Sequence, residues 1–206
     1  MNVRVIMPFY RKHLTQKLTD GFRPMNVIWH PVCDEIDLQA FEGNLEEWIK
    51  PVLCPPLIKG QQCYRKVNDF INTQEIVDED LYGFLHDDDM YVPGFIDRVR
   101  RIEEKKIFFF SMDRGDVCPV DDHPVKWPPV PIVLHNVEEV RVYNIDMCMM
   151  IVRGDILRQT QFGITQDHDD GLYAVNLRTK WPNDCLVITE YGVRQNYFQK
   201  GRFLTR

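Results

Sequence analysis

Nothing in the 206-residue sequence approaches ~20 consecutive apolar residues, the length a membrane-crossing helix needs, so no membrane span is expected. A surplus of positive charge is also missing, with 25 Lys+Arg against 31 Asp+Glu and a formal charge of -6. Holding duplex nucleic acid takes clustered Lys and Arg against the phosphates, and the acidic balance argues against that task. No C-x-x-C pair occurs among Cys33, Cys54, Cys63, Cys118, Cys148 and Cys185. That spacing supports neither a disulfide framework nor a zinc site, and reduced thiols in a cytoplasmic protein are the expectation. The start meets Pro8, Arg11 and Lys12 too early for a secretory signal. Repeats and low-complexity tracts are absent as well. What is present is a core: 44% of residues are hydrophobic, including 12 Phe, 8 Tyr and 4 Trp, which excludes intrinsic disorder.

The pattern along the chain alternates. Val3 to Met7 is a short apolar run that predicts a buried first strand. Leu14 and Leu18 place a helix over 10–20, closed by Gly21. Met25 to Trp29 is a second apolar run, stopped by Pro31. Residues 36–49 have loosely helical spacing through Ile36, Phe41, Leu45, Trp48 and Ile49. Val52 to Cys54 is a third strand, and 61–74 a helix with Val67, Phe70 and Ile71 on one face. Leu81 to Leu85 is a strand, followed by a helix with Pro93 at its first position and Ile96, Val99 and Ile102 behind it. Ile107 to Ser111 is another strand. Pro119, Pro124, Pro128, Pro129 and Pro131 mark a long loop over 113–131, functional or mobile rather than a linker between domains. Strands are predicted over 140–143, 147–152 and 186–188, and helices over 155–161 and, behind the polar segment 167–170, through Leu172, Val175 and Leu177. This alternation predicts an α/β fold, a single domain over 1–206 with a mostly parallel central sheet flanked by helices. Residues 1–112 read as a nucleotide-fold-like half and 113–206 as an irregular half.

Two acidic runs stand out. Asp87-Asp88-Asp89 follows the strand at 81–85, which puts three carboxylates where open α/β sheets bind ligands. Like charges that close call for a cation, and Mg²⁺ or Mn²⁺ held by one or two carboxylates plus phosphate oxygens is the usual solution. The alternative is a loop that caps the following helix. The second run is Asp167-His168-Asp169-Asp170, where the plain alternative is again helix capping.

Gly83 to Phe95 resembles the strand, D-x-D motif and helix of GT-A-fold glycosyltransferases, especially inverting enzymes of the family-2 type. Val5-Ile6-Met7-Pro8-Phe9-Tyr10 resembles their first strand and its P-x-Y beside the nucleotide base. Lys59-Gly60 with Arg65 and Asn68 resembles their G…R-N helix. Residues 146–153 resemble the strand lining the acceptor pocket, and 167–172 the E-D-x-x-L segment that carries the base. Asp34 or Glu35 is the nearest match to the acidic pair after the second strand, and His86 stands where the motif has its first Asp. The chain also resembles glycosyltransferases that chlorella-type viruses encode to decorate their capsid protein.

The resemblance implies a metal-dependent transferase using a nucleoside-diphosphate sugar, most simply a UDP-sugar, and a glycan or glycoprotein hydroxyl as acceptor. Asp87 and Asp89 would hold Mn²⁺ or Mg²⁺, with Asp88 as the alternative ligand and His168 completing the shell. Pro8, Phe9, Tyr10, Asp34, Lys59, Arg65, Asp87 and Asp88 would line the donor. Asp169 aligns best with the general base and Asp170 is second. Trp127 and Trp181 are the expected sugar-stacking faces. A sugar-phosphate nucleotidyltransferase is the other enzyme reading, but Pro8-Phe9-Tyr10-Arg11-Lys12 lacks the Gly-rich loop it needs. A non-catalytic nucleotide- or glycan-binding module is the third.

Overall fold

The structure is a computed structural model that describes residues 1–43, 45–56, 63–114, 131–163 and 168–195. The described strands are β1 (Val3–Pro8), β2 (Ile28–Cys33), β3 (Val52–Leu53), β4 (Leu81–Phe84), β5 (Met90–Tyr91), β6 (Ile107–Asp113), β7 (Met150–Arg153) and β8 (Cys185–Arg194). They form one eight-stranded sheet in the order β3-β2-β1-β4-β7-β6-β8-β5. The β1–β2, β2–β3, β1–β4 and β6–β8 pairings are parallel. β7 runs against β4 and β6, and β5 against β8. The sheet is therefore mixed, and mostly parallel in strand direction.

Near-continuous apolar runs explain the central strands, because a strand covered on both faces has no polar side. Val5, Ile6 and Met7 are buried, as are Ile107, Phe108, Phe109 and Phe110. The helices are α1 (Thr15–Phe22), α2 (Glu35–Leu38), α3 (Tyr64–Thr73), α4 (Phe95–Arg100), α5 (Gly154–Leu157) and α6 (Asp169–Lys180). In α3 the i, i+3, i+4 spacing of Val67, Phe70 and Ile71 buries one face.

Several expected boundaries move. α1 runs through Gly21 to Phe22 before a 3₁₀ turn. Pro31 lies inside β2 rather than ending it. The neighbouring Trp29 and Cys33 carbonyls accept from Lys50 and Cys54, so the missing Pro31 N–H points at the gap before β3, where no ladder bond is lost. The helix expected over 36–49 is only α2 and a 3₁₀ turn, and Ile36 is exposed. Pro93 precedes the N-cap Gly94, whose φ of 80° only glycine adopts readily, and Ile102 falls beyond α4. Residues 140–143 form no strand: Asn144 accepts from Arg141 N–H at 2.8 Å and its own N–H returns to the Arg141 carbonyl. The strand expected over 147–152 starts with a 3₁₀ turn at Met147–Met149, the helix over 155–161 shrinks to α5, and β5 has no counterpart in the sequence reading.

β1 lies between β2 and β4. The chain leaves β1 on one side for β2 and β3 and returns on the other as β4, so the crevice above β1 and β4 is a topological switch point. Ligands of open α/β sheets bind at such a point.

Candidate active site

The loop after β1 is bolted to the acidic turn after β4. Tyr10 N–H and Arg11 N–H donate to Asp87 Oδ2 at 2.9 and 2.8 Å. The Arg11 guanidinium donates to Asp87 Oδ1 and lies 3.2 Å from Asp88 Oδ1. Asp87, Asp88 and Asp89 are all buried, at 2%, 5% and 1% exposure. Burying carboxylates costs heavily unless donors and counter-charges surround them.

The other expected donor residues divide. Pro8 pairs with Val32 at the end of β1. Phe9 is core, edge-on to Trp29 and Phe41, and offers nothing to a ligand. Tyr10 is 40% exposed, and Lys66 Nζ covers one face of its ring at 3.9 Å while donating to the Phe9 carbonyl. Lys66 is almost fully buried and went unremarked in the sequence. Asp34 caps α2, accepting from Asp37 N–H at 3.0 Å. Arg65 sits half-buried on the first turn of α3. Asn68 is a strut, its amide bonding both the N–H and the carbonyl of Phe162. Lys59, Trp127 and Asp167 lie outside the described residues.

The second acidic run reaches the same place. His86 Nε2 is 3.6 Å from Asp146 Oδ1, and Asp146 caps the Met147–Met149 turn by accepting from Cys148. Burial alone would strip the charge from His86, but Asp146 and Cys63 outweigh it and raise its pKa well above the usual value. Burial likewise works against the Asp146 carboxylate, yet His86 holds its pKa well below the ordinary range. Asp170, at the start of α6, bonds to Tyr64 and accepts from Gly171 N–H. Burial, then the charge of Asp146, pushes its pKa up to about 7. The Cys148 thiol is pushed up by burial and then by Asp146, Asp89 and Asp170. Three carboxylates from three segments thus act on one buried sulfur.

Asp169 is also buried, against Gly163, where an added Cβ would come within 2.3 Å of its carboxylate. His168 lies beside Tyr143, ring centres 5.6 Å apart, and Tyr143 is exposed. Trp181 is about 18 Å along α6 from Asp169 by helical rise, under the Lys180 ammonium, far from where a sugar would meet Asp169. Among the described residues no three His, Cys, Asp or Glu side chains converge as a ready metal cage. The acidic turn still supplies hard oxygens already engaged with a cation, Arg11. That donor chemistry fits a divalent ion that needs only one or two carboxylates beside phosphate oxygens.

No protein-family model matches the chain, and no curated protein matches it. Solved structures do. The crystal structure of S. aureus TarS 1-349 superposes with a TM-score of 0.53 at 14% identity, covering 99% of this chain. The chain therefore shares the backbone fold of that structure. The chain spans 64% of the length of that neighbour. At such identity the likeness concerns the backbone path alone.

Proposed function

We propose that the chain is a metal-dependent glycosyltransferase of GT-A type, transferring a sugar from a nucleoside-diphosphate sugar, a UDP-sugar in the simplest case, to a hydroxyl with inversion. The observation that carries this reading is the meeting of both acidic runs beside the switch point, with Asp170 tuned to about 7. TarS, whose fold the chain shares, is a glycosyltransferase.

Tyr10, which is 40% exposed, would stack on the base, with Asp34 near enough for its charge to act on the phenol. The Asp87–Asp89 turn would hold Mg²⁺ or Mn²⁺. When bound, that ion neutralises charge building on the departing diphosphate. Asp170 is better suited than Asp169 to be the general base, since a base works best with its pKa near the operating pH. Its carboxylate takes the acceptor proton as the acceptor oxygen bonds the anomeric carbon. The bond from that carbon to the diphosphate oxygen breaks, and the nucleotide leaves with the electron pair. The Tyr64 hydroxyl fixes the Asp170 carboxylate from α3. A binding module has no use for a carboxylic acid poised at that pKa, which disfavours the non-catalytic reading.

A panel of UDP-sugars with Mn²⁺, assayed for sugar release and transfer, tests the proposal. Turnover of at least one donor is expected, and Asp170→Asn should lower it roughly 10²–10⁴-fold while UDP binding is kept. Full turnover by Asp170→Asn together with its loss in Asp169→Asn would move the base to Asp169. Failure of every donor would contradict the transferase reading.

A further inference from the structure

We propose that Arg11 is a built-in counter-cation for Asp87 and Asp88, and that a divalent ion binds this turn by displacing it. The inference rests on the metal-dependent reading above and adds the residue that controls metal entry.

Two buried carboxylates side by side need compensating charge, and the Arg11 guanidinium reaches both, donating to Asp87 Oδ1 and standing 3.2 Å from Asp88 Oδ1. The loop does not depend on that guanidinium. Asp87 Oδ2, the other oxygen, is the one that accepts from the Tyr10 and Arg11 backbone. Arg11 can therefore swing away while Asp87 stays anchored and its Oδ1 becomes open to a new cation. The Arg11 side chain is 41% exposed, so the motion meets solvent rather than core. Asp87 and Asp88 are buried and Asp87 is anchored by two backbone donors, which makes the exposed arginine the movable partner.

Exchange has a thermodynamic consequence. A metal ion arriving alone must break the arginine pair and leave the guanidinium without its carboxylates. A metal ion arriving with a nucleoside diphosphate also brings an anion for the displaced arginine, and the planar fork of Arg suits phosphate. Metal alone should bind weakly, and metal and nucleotide should each strengthen the other's binding by the same factor.

The test is titration of the whole chain with Mn²⁺ in the absence of nucleotide, reading free Mn²⁺ by electron paramagnetic resonance. Arg11→Gln should bind Mn²⁺ on the order of tenfold more tightly than the unaltered chain, since one ion pair no longer competes. Arg11→Lys, which keeps the charge without the fork, should gain less. Arg158→Gln, which removes a cation paired with Asp78 before β4, should leave Mn²⁺ affinity unchanged. Melting curves supply a second reading: Mn²⁺ should raise the Tm of Arg11→Gln more than that of the unaltered chain. Equal or weaker Mn²⁺ binding by Arg11→Gln would overturn the displacement while leaving a metal site standing. Absence of Mn²⁺ binding in every variant, with and without UDP, would overturn the metal reading itself and the displacement with it.

Discussion

Asp170, the proposed general base, would tie function to stability in one residue. Its pKa of about 7 means that the folded chain holds a proton the unfolded chain has released, since the ordinary value is 3.8. Asp170 therefore contributes stability in full below about pH 4, and that contribution is lost as the pH rises through about 7. Activity should run the opposite way, with kcat/KM falling below about pH 7 as the base becomes protonated. Asp170→Asn keeps an acceptor for Tyr64 but carries no charge, so its Tm should rise relative to the unaltered chain at pH 8 and hardly differ at pH 4. Calorimetry at the two pH values checks this, and a lower Tm at pH 8 would contradict it. The acidic runs that hold Asp87 and Asp170 were legible in the sequence because their carboxylates are adjacent along the chain. The partners were not. His86 and Asp146 lie 60 positions apart, with no periodicity linking them, and Lys66 looked like any lysine on a helix. Only the fold brings a ring, a carboxylate or an ammonium to the right neighbour.

Elements were legible where burial is two-sided. The apolar runs of β1, β4 and β6 announced themselves, as did the face of α3. Boundaries were lost where backbone bonding in space, rather than residue type, decides them. Pro31 stays in β2 because its missing N–H faces a gap, and 140–144 turns because Asn144 bonds the Arg141 backbone. The joints between elements carry much of the site's rigidity. Asn68 holds the Phe162 backbone from α3, and Asn68→Ala leaves a buried N–H and carbonyl without that partner. A loss of about 2–4 kcal/mol is expected, seen as a Tm drop on the order of 10 °C; a drop of a degree or less would contradict the strut. At Gly171 an added Cβ would lie 1.9 Å from the Val142 carbonyl. Gly171→Ala must therefore push the 140–144 turn off the start of α6, shifting Asp170 and lowering turnover more than nucleotide affinity. Parallel measurements of kcat and of UDP binding separate the two effects.

At the scale of the molecule, the order of strands does the assembling. β1 and β4 are neighbours though some 70 residues apart, and β7 lies against β4 from the far half of the chain. The loop after β1, the turn after β4 and the Met147–Met149 turn before β7 consequently meet at one end of the sheet, joined there by the start of α6. On the proposed function, an acidic chain would in this way present a site for an anionic nucleotide, its clustered carboxylates acting through a cation. Calorimetric titration of the chain with UDP, in Mn²⁺ and again in EDTA, tests that most directly. Binding in Mn²⁺ that disappears in EDTA, and is lost in Asp87→Ala/Asp89→Ala, is the predicted result. UDP binding that is indifferent to both changes would contradict it.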